Sequence, residues 1–112
     1  MENICKYHTQ MIAEVGDLFS KKQWRSICNQ VKMRKYVSTR DMGDVETMDD
    51  LCIALQKNGI IRYGEYSDLR EILVTSDVEA GEIIDTFTRK INQEKEGKYY
   101  SLSLNTLREC FH

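Results

Sequence analysis

Three stretches of helically spaced apolar residues lie between Val45 and Ile91, and this pattern restricts the chain to a compact helical fold. They comprise Val45, Met48, Leu51, Cys52 and Leu55, then Tyr66, Leu69, Ile72 and Leu73, then Val78, Ile83, Ile84, Phe87 and Ile91. Intervals of three and four residues place each set on one face of a helix. Gly59 follows the first set, where a left-handed helix end is expected. Short helices joined by tight connections predict a bundle.

The residues before this stretch predict two further helices and a short third one. Apolar residues at helical spacing, including Ile12 and Val15, predict a first helix over residues 7–18. Ser20 and Gln23 have the capping-box pattern, in which each side chain satisfies a backbone donor of the other residue, and a second helix follows. The polar run KMRKYVSTRDMGD predicts a short or irregular third helix within a connection.

Capping residues predict where the later helices begin. Asp44 is expected to cap a helix that starts at Val45, and Ser76 with Glu79 repeats the capping-box pattern before the last helix. We therefore predict an all-α chain with a helical bundle over residues 1–92. Residues 93–112 would then form a C-terminal tail or an extra short element.

The C-terminal residues allow two interpretations. The polar run NQEKEGK, which contains Gly97, predicts a helix end or a linker. Beyond it, Tyr99, Leu102 and Leu104 have a strand-like alternation, whereas Leu104, Leu107 and Phe111 have helical spacing. Both alternatives remain open from the sequence.

Composition indicates one globular domain. The 112 residues are 41% hydrophobic and 30% charged and include no proline, which suits a single packed core of continuous helices. The net charge of −2 lacks the strong positive field of a generic phosphate-backbone binder. No apolar run approaches the roughly 18 residues of a membrane span, and the N-terminus has no secretory signal pattern. We therefore expect a cytoplasmic protein.

Cysteine and histidine spacing argues against metal binding and catalysis. Four cysteines are widely separated, without a Cys-x-x-Cys pair or a nearby histidine set, so no metal or cofactor is expected. Cys28 and Cys52 are expected to be free core thiols, and Cys5 and Cys110 would meet only if the termini lie close together. His8 and His112 are expected to be exposed. No nucleophile or acid–base motif is recognisable, so an enzyme is not predicted.

Charged residues group along the chain in a way that suits binding between protein surfaces. Four basic residues of the connection between the second and fourth helices are Lys32, Arg34, Lys35 and Arg40, and the acidic residues on the polar side of the fourth helix are Glu46, Asp49 and Asp50. If these groups occupy different faces, the contact between two copies is heterologous and can repeat head to tail. Charge would then mainly set register and association rate.

Aromatic residues supply candidate anchors for such a contact. Phe19 and Tyr36 are aromatic positions whose burial the helical spacing does not require. Trp24 begins the apolar face of the second helix and is assigned to the core. Of Tyr63 and Tyr66, one is expected to cover the core and the other to be exposed.

A nucleic-acid-binding domain is the alternative function. Lys and Arg of the segment from Lys32 to Arg40 would neutralise phosphates, and its tyrosine would stack on bases. The acidic balance of the whole chain argues against this alternative.

The order of these elements resembles the death effector domain of apoptotic adaptors and initiator caspases. The resemblance covers roughly residues 7–91 and rests on LFSKKQWRSICNQV and on DDLCIALQKNGIIRYGEYSDLREIL. It implies an antiparallel six-helix bundle of the death-fold superfamily that binds other death-fold domains, or a second copy of itself, and performs no chemistry.

One motif departs from this resemblance. Death effector domains usually begin their sixth helix with Arg-x-Asp-Leu, which forms a charge network with an acidic residue of the second helix. The corresponding segment here is VTSDVEAGEII, so the arginine is absent and Asp77 with Val78 matches only the second half. The second helix is basic at Lys21, Lys22 and Arg25. A diverged death effector domain or the sister death-domain class would account for the difference.

Taken together, charge, aromatic positions and resemblance define a set of candidate interaction residues. They are Phe19, Arg25, Lys32, Arg34, Lys35, Arg40, Glu46, Asp49, Asp50, Asp68 and Asp77.

Overall fold

A computed structural model describes the backbone of residues 2–111 and the side chains of residues 2–96. The six helices are α1 (Glu2–Gly16), α2 (Lys21–Met33), α3 (Thr39–Met42), α4 (Met48–Lys57), α5 (Ser67–Val74) and α6 (Val78–Phe111). Strand-type pairing in the described backbone amounts to one isolated bridge between Arg62 and Glu65. The predictions of an all-α chain, of six helices and of a short third helix are confirmed.

Helix α1 packs against both α4 and α6 and runs antiparallel to each. At its beginning, the Asn3 amide donates to the Glu94 carboxylate of α6 at 3.5 Å, and the rings of Tyr7 and Phe87 have centroids 6.4 Å apart. At its end, Gly16 lies so close to Met48 that a Cβ added to Gly16 would come within 3.3 Å of it. The close approach brings the end of α1 against the beginning of α4.

Helix α5 joins α2 to α6 and is antiparallel to both. The Gln30 amide of α2 donates to the Thr75 hydroxyl at 2.9 Å, and Arg34 lies 3.4 Å from the Glu71 carboxylate. On the other side, the Arg70 guanidinium donates two hydrogen bonds to the Asp85 carboxylate of α6, at 2.8 and 3.0 Å.

The predicted apolar faces meet in one core, except that Val78, which was assigned to the third face, is 74% exposed in the first turn of α6. Its fully buried members include Met11, Val15, Ile27, Leu51, Leu55, Leu69, Ile72, Ile84 and Ile91. Trp24 is half-buried and packs against this cluster, so it is a core-edge residue. Gly59 has a φ of +73° after the last residues of α4, which confirms the predicted left-handed helix end.

The beginning of α4 differs from the prediction. Thr47, and not Asp44, caps the helix: its hydroxyl accepts a hydrogen bond from the Asp50 amide at 3.1 Å, and the Asp50 carboxylate accepts from the Thr47 amide at 3.2 Å. This reciprocal pair satisfies backbone donors that Asp44 would serve only if the helix began at Val45. The predicted start at Val45 was therefore wrong by three residues.

The last helix also departs from its predicted start and end. The Asp77 carboxylate accepts a hydrogen bond from the Glu79 amide at 2.9 Å, so Asp77 takes the capping position that was assigned to Ser76. Helix α6 then continues through NQEKEGK to Phe111, and the described backbone is helical where a strand was one alternative. The side chains of Cys110 and of the other residues after Glu96 lie outside the described set, and so does His112, which was predicted to be exposed.

Helix α1 begins at Glu2, five residues before its predicted start. In the part of the chain that the structure describes, none of the helices combines the length and apolarity needed to cross a bilayer.

Candidate protein-interaction surface

A basic segment covers α2, α3 and the connection between them. From Leu18 to Arg40 the chain contains no Asp or Glu, and its basic residues are Lys21, Lys22, Arg25, Lys32, Arg34, Lys35 and Arg40. All seven are exposed in the structure. Lys21, Arg25 and Lys32 recur at intervals of four and seven residues, so they lie along one side of α2.

Local structure holds this basic segment in place. The Ser20 hydroxyl accepts from the Gln23 amide nitrogen of the backbone at 3.2 Å, and the Gln23 side chain accepts from the Ser20 amide at 2.9 Å, which confirms the predicted capping box. At the other end, Lys35 has a φ of 58°, in the left-handed region, and turns the chain away from α2. Interaction with Tyr36 and with the Glu71 carboxylate raises the pKa of Arg34, which stays charged.

A groove of about 410 Å³ lies where the end of α1 and the beginnings of α2 and α4 meet. Its apolar lining includes Ile12, Phe19, Trp24 and Met48. Its charged lining consists of the carboxylates of Asp17, Glu46 and Asp49 and the ammonium of Lys21. We call the first set the groove floor and the three carboxylates the acidic rim. The groove thus combines apolar side chains with a net negative edge.

A second groove, of about 320 Å³, lies on the other side of α4. Three carboxylates, one ammonium and two branched apolar side chains line it: Asp41, Asp44, Asp50, Lys57, Val45 and Ile53. Carboxylates therefore surround the first turn of α4 on both sides. The negative potential of this region adds to that of the acidic rim.

The structure brings together only part of the predicted site. Phe19, Glu46 and Asp49 line the same groove, although sequence spacing did not connect the first of these with the other two. Arg25 and Lys32 share a side of α2, and Lys35 and Arg40 follow in the exposed connection and α3. Arg34 is engaged by Glu71 at 3.4 Å.

Three predicted acidic residues have local structural roles. Asp50 accepts hydrogen bonds from the backbone at the start of α4, and Asp77 does the same at the start of α6. Asp68 is half-buried in the first turn of α5, where a carboxylate interacts favourably with the helix dipole. Substitution of these residues would therefore change helix stability as well as surface charge.

Two contributors to this surface were missed by sequence reasoning. Asp17 was treated as part of a helix end, yet its carboxylate completes the acidic rim. Met33 was not considered, yet it is 80% exposed at the end of α2. The signal was available in the sequence, because Met33 follows Trp24, which was assigned to the core, by nine residues, an interval that places it on the opposite side of the helix.

A polar cluster is buried on the side of α1 that faces α4 and the connection before α5. His8 was predicted to be exposed, and this was wrong: it is 6% exposed, and its Nδ1 lies 2.7 Å from the Tyr66 hydroxyl. Tyr66 is buried, whereas Tyr63 is half-buried with its ring edge-on to His8 at a centroid distance of 4.9 Å. The Cys5 thiol donates to the Tyr63 hydroxyl at 3.4 Å.

Burial dominates the protonation behaviour of this cluster. It lowers the pKa of His8, although a hydrogen bond with Gln56 and the charge of Asp49 act in the opposite direction. It also raises the pKa of Tyr66 to about 12 and that of Cys52 to about 12. His8 is therefore neutral near pH 7, and Cys52 is an inert core thiol, as predicted. Among the described residues, no group of His, Cys, Asp and Glu is arranged to hold a metal ion.

Neutral hydrogen bonds connect α2 to the junction between α5 and α6. The Gln23 side-chain amide donates to the Ser76 carbonyl at 3.0 Å, and the Gln30 amide donates to the Thr75 hydroxyl at 2.9 Å. Thr75 in turn donates to the Ile72 carbonyl at 2.6 Å. The junction is thus held by amide and hydroxyl groups, whose hydrogen bonds do not depend on protonation near neutral pH.

Comparison with protein-family models, with curated proteins and with solved structures finds no match.

Proposed function

We propose that this chain is a homotypic protein–protein interaction module of apoptotic or innate-immune signalling, with a death-fold bundle closest to a death effector domain. Six helices, with antiparallel packing of α1 on α4 and α6 and of α5 on α2 and α6, support this proposal. Its partners would be other death-fold domains or a second copy of the chain. Such a module acts by recruitment and carries out no reaction.

The separation of charge on the surface is the observation that carries the proposal. Seven exposed basic residues lie within residues 18–40, a range that contains no acidic residue. Carboxylates surround the start of α4. A basic face on one molecule and an acidic face on the next attract each other and set the register of the contact. Because the two faces differ, the contact is heterologous and leaves one of each free for a further copy.

The departure at the start of α6 fits a diverged member of this class. Where the resemblance would place an arginine network, this chain uses the Gln23 and Gln30 amides to hold the α5–α6 junction. The Asp77 carboxylate caps α6 by accepting a hydrogen bond from the backbone amide of Glu79. The junction would therefore keep its structural role without charge, and binding would depend on the basic segment and the acidic rim.

Light scattering after size exclusion tests this function on the full chain. We expect the molecular mass to rise with protein concentration. In Arg25→Glu combined with Lys32→Glu, the same rise should need at least tenfold more protein, because the charge of exposed interface groups is reversed. Arg89→Glu is a control for a single charge reversal, since Arg89 is exposed on α6, which carries neither the basic segment nor the acidic rim. A chain that stays monomeric at the highest concentration and binds no death-fold domain would overturn the proposal.

A nucleic-acid-binding role is the second candidate, and the absence of acidic residues from residues 18–40 favours it. Phosphates bound by several Lys and Arg release counterions, so affinity falls steeply with salt. A labelled oligonucleotide that shifts in a gel at low salt, and that loses binding in the Arg25→Glu and Lys32→Glu variant, would support this role. No shift at low salt would eliminate it.

A further inference from the structure

We propose that Met33 of one copy inserts into the groove between α1, α2 and α4 of a second copy, with its basic neighbours against the acidic rim. This inference rests on the proposed function, because it identifies a second copy as the partner and specifies the contact. It assigns the apolar anchor that charge separation alone does not supply.

Met33 has the properties of an anchor residue. It is 80% exposed at the last position of α2, and Lys32, Arg34 and Lys35 are its basic neighbours in sequence. Arg34 pairs with Glu71 at 3.4 Å, so Lys32 and Lys35 are the cations that would meet the acidic rim. Methionine is unbranched and flexible, so it adapts to irregular apolar surfaces and is frequent where proteins bind one another. A protruding apolar side chain with cations around it is complementary to a partner that is apolar at its centre and negative at its edge.

The groove has the complementary arrangement. Phe19 and Trp24 are the partly exposed residues of its floor, Met48 lies buried beneath them, and its acidic rim is formed by Asp17, Glu46 and Asp49. A volume of about 410 Å³ is sufficient for one unbranched side chain together with the stems of its neighbours. Phe19 and Trp24 are each half-buried, so an inserted methionine would cover aromatic surface that remains in contact with water in the single chain.

Charge distinguishes Met33 from the other exposed apolar residues. In the described part of the chain, Ile53 and Val78 are the remaining large apolar side chains with substantial exposure, at 44% and 74%. Val78 lies between Asp77 and Glu79, and Ile53 lines the acidic second groove, so carboxylates accompany both. Insertion of either residue into a groove with an acidic rim would bring like charges together, which is unfavourable.

Helix geometry makes this contact an open one. Met33 follows Trp24 by nine residues, which is two and a half helical turns. The two side chains therefore project from opposite sides of α2, about 13.5 Å apart along its axis. Two molecules would then be unable to fill both grooves with both methionines through α2. The pair therefore leaves one Met33, on one copy, and one groove, on the other, free. The expected product is a chain of copies.

Complementation between two variants tests this contact. Met33→Gln removes the apolar anchor and keeps its length, whereas Ala13→Phe places a large side chain from the exposed face of α1 into the groove. We expect each variant alone to self-associate at least tenfold more weakly than the wild type, since burial of one apolar side chain is lost. A mixture of the two should form a one-to-one dimer and nothing larger, because only one intact anchor and one intact groove meet.

Matched controls separate this contact from loss of folding and from the wider proposal. Val78→Thr replaces another exposed apolar residue with a polar near-isostere and should leave self-association unchanged. Glu46→Lys reverses one charge of the acidic rim without filling the groove, and it should weaken self-association. Circular dichroism should show native helix content in every variant. If wild-type self-association persists in Met33→Gln and Ala13→Phe, the inserted methionine is wrong while the proposed function stands. If the wild type is monomeric throughout, both homotypic association and this inference are wrong.

Discussion

At the scale of single residues, His8 shows what the sequence contained and what it lacked. Ile4, His8, Met11 and Val15 lie at intervals that place His8 within the buried face of α1, so its burial follows once the helix is known to begin at Glu2. Its main hydrogen-bond partner, Tyr66, is 58 residues away in sequence. Long-range pairing of this kind has no local signal, and only the packed bundle reveals it.

Acid should destabilise the fold through His8. Because burial lowers its folded pKa below the ordinary value of 6.5, the unfolded chain binds the proton more readily, and stability rises with pH across that interval. The contribution of neutral, buried His8 to the free energy of unfolding is intact above about pH 7. It declines as pH falls through 6.5 and is fully lost below the folded pKa. One proton limits this slope to about 1.4 kcal/mol per pH unit.

Urea unfolding of wild-type protein and of His8→Gln between pH 5 and pH 8 measures this effect. The variant should be the less stable protein at pH 8, because it loses the fitted imidazole, and its stability should fall less than that of the wild type on acidification. Carboxylates contribute the same slope to both proteins and cancel in the difference. Parallel curves for the two proteins would show that His8 does not titrate as its burial requires.

At the scale of helices, sequence predicted which elements exist more accurately than where they begin. The Ser20 and Gln23 box at α2 was recognised because it has the usual Ser-x-x-Gln form, and the structure contains it. Thr47 and Asp50 form the same type of box with an aspartate, and this less usual pair was missed. The error matters for the site, since it assigned Asp50 to the binding surface when its carboxylate holds the start of α4.

Loss of the α2 cap should lower the stability of the whole domain. Ser20→Ala removes the hydroxyl that accepts from the Gln23 amide, and we expect a loss of about 1 kcal/mol in the free energy of unfolding. Ser26→Ala is the control, because Ser26 is exposed in the middle of α2, where alanine is the better helix former. Equal urea midpoints for Ser20→Ala and wild type would show that the capping box contributes nothing measurable.

At the scale of the whole molecule, charge was predictable and its spatial arrangement was only partly so. The basic segment and the acidic residues near α4 are visible as runs in the sequence. The groove is not, because it forms from the end of α1 and the beginnings of α2 and α4, which approach one another through the contact of Gly16 with Met48. Its floor and rim therefore depend on how helices pack, which spacing within one helix does not determine.

Charge exchange between the two surfaces should restore association that either single reversal weakens. Glu46→Lys makes the groove edge less negative, and Lys32→Glu places a negative charge beside Met33, so each variant alone should have a higher dissociation constant for self-association. In the double variant the signs are exchanged, and attraction returns. An exposed pair typically contributes about 0.2–1 kcal/mol, so the expected recovery is up to about fivefold. Sedimentation equilibrium of the four proteins at low salt forms a double-mutant cycle that measures this coupling.

Glu46→Lys combined with Arg89→Glu has the same net charge as the double variant and should show no recovery. Equal association of that control and the charge-exchanged variant would mean that net charge, and not the meeting of the Met33 neighbours with the acidic rim, governs assembly.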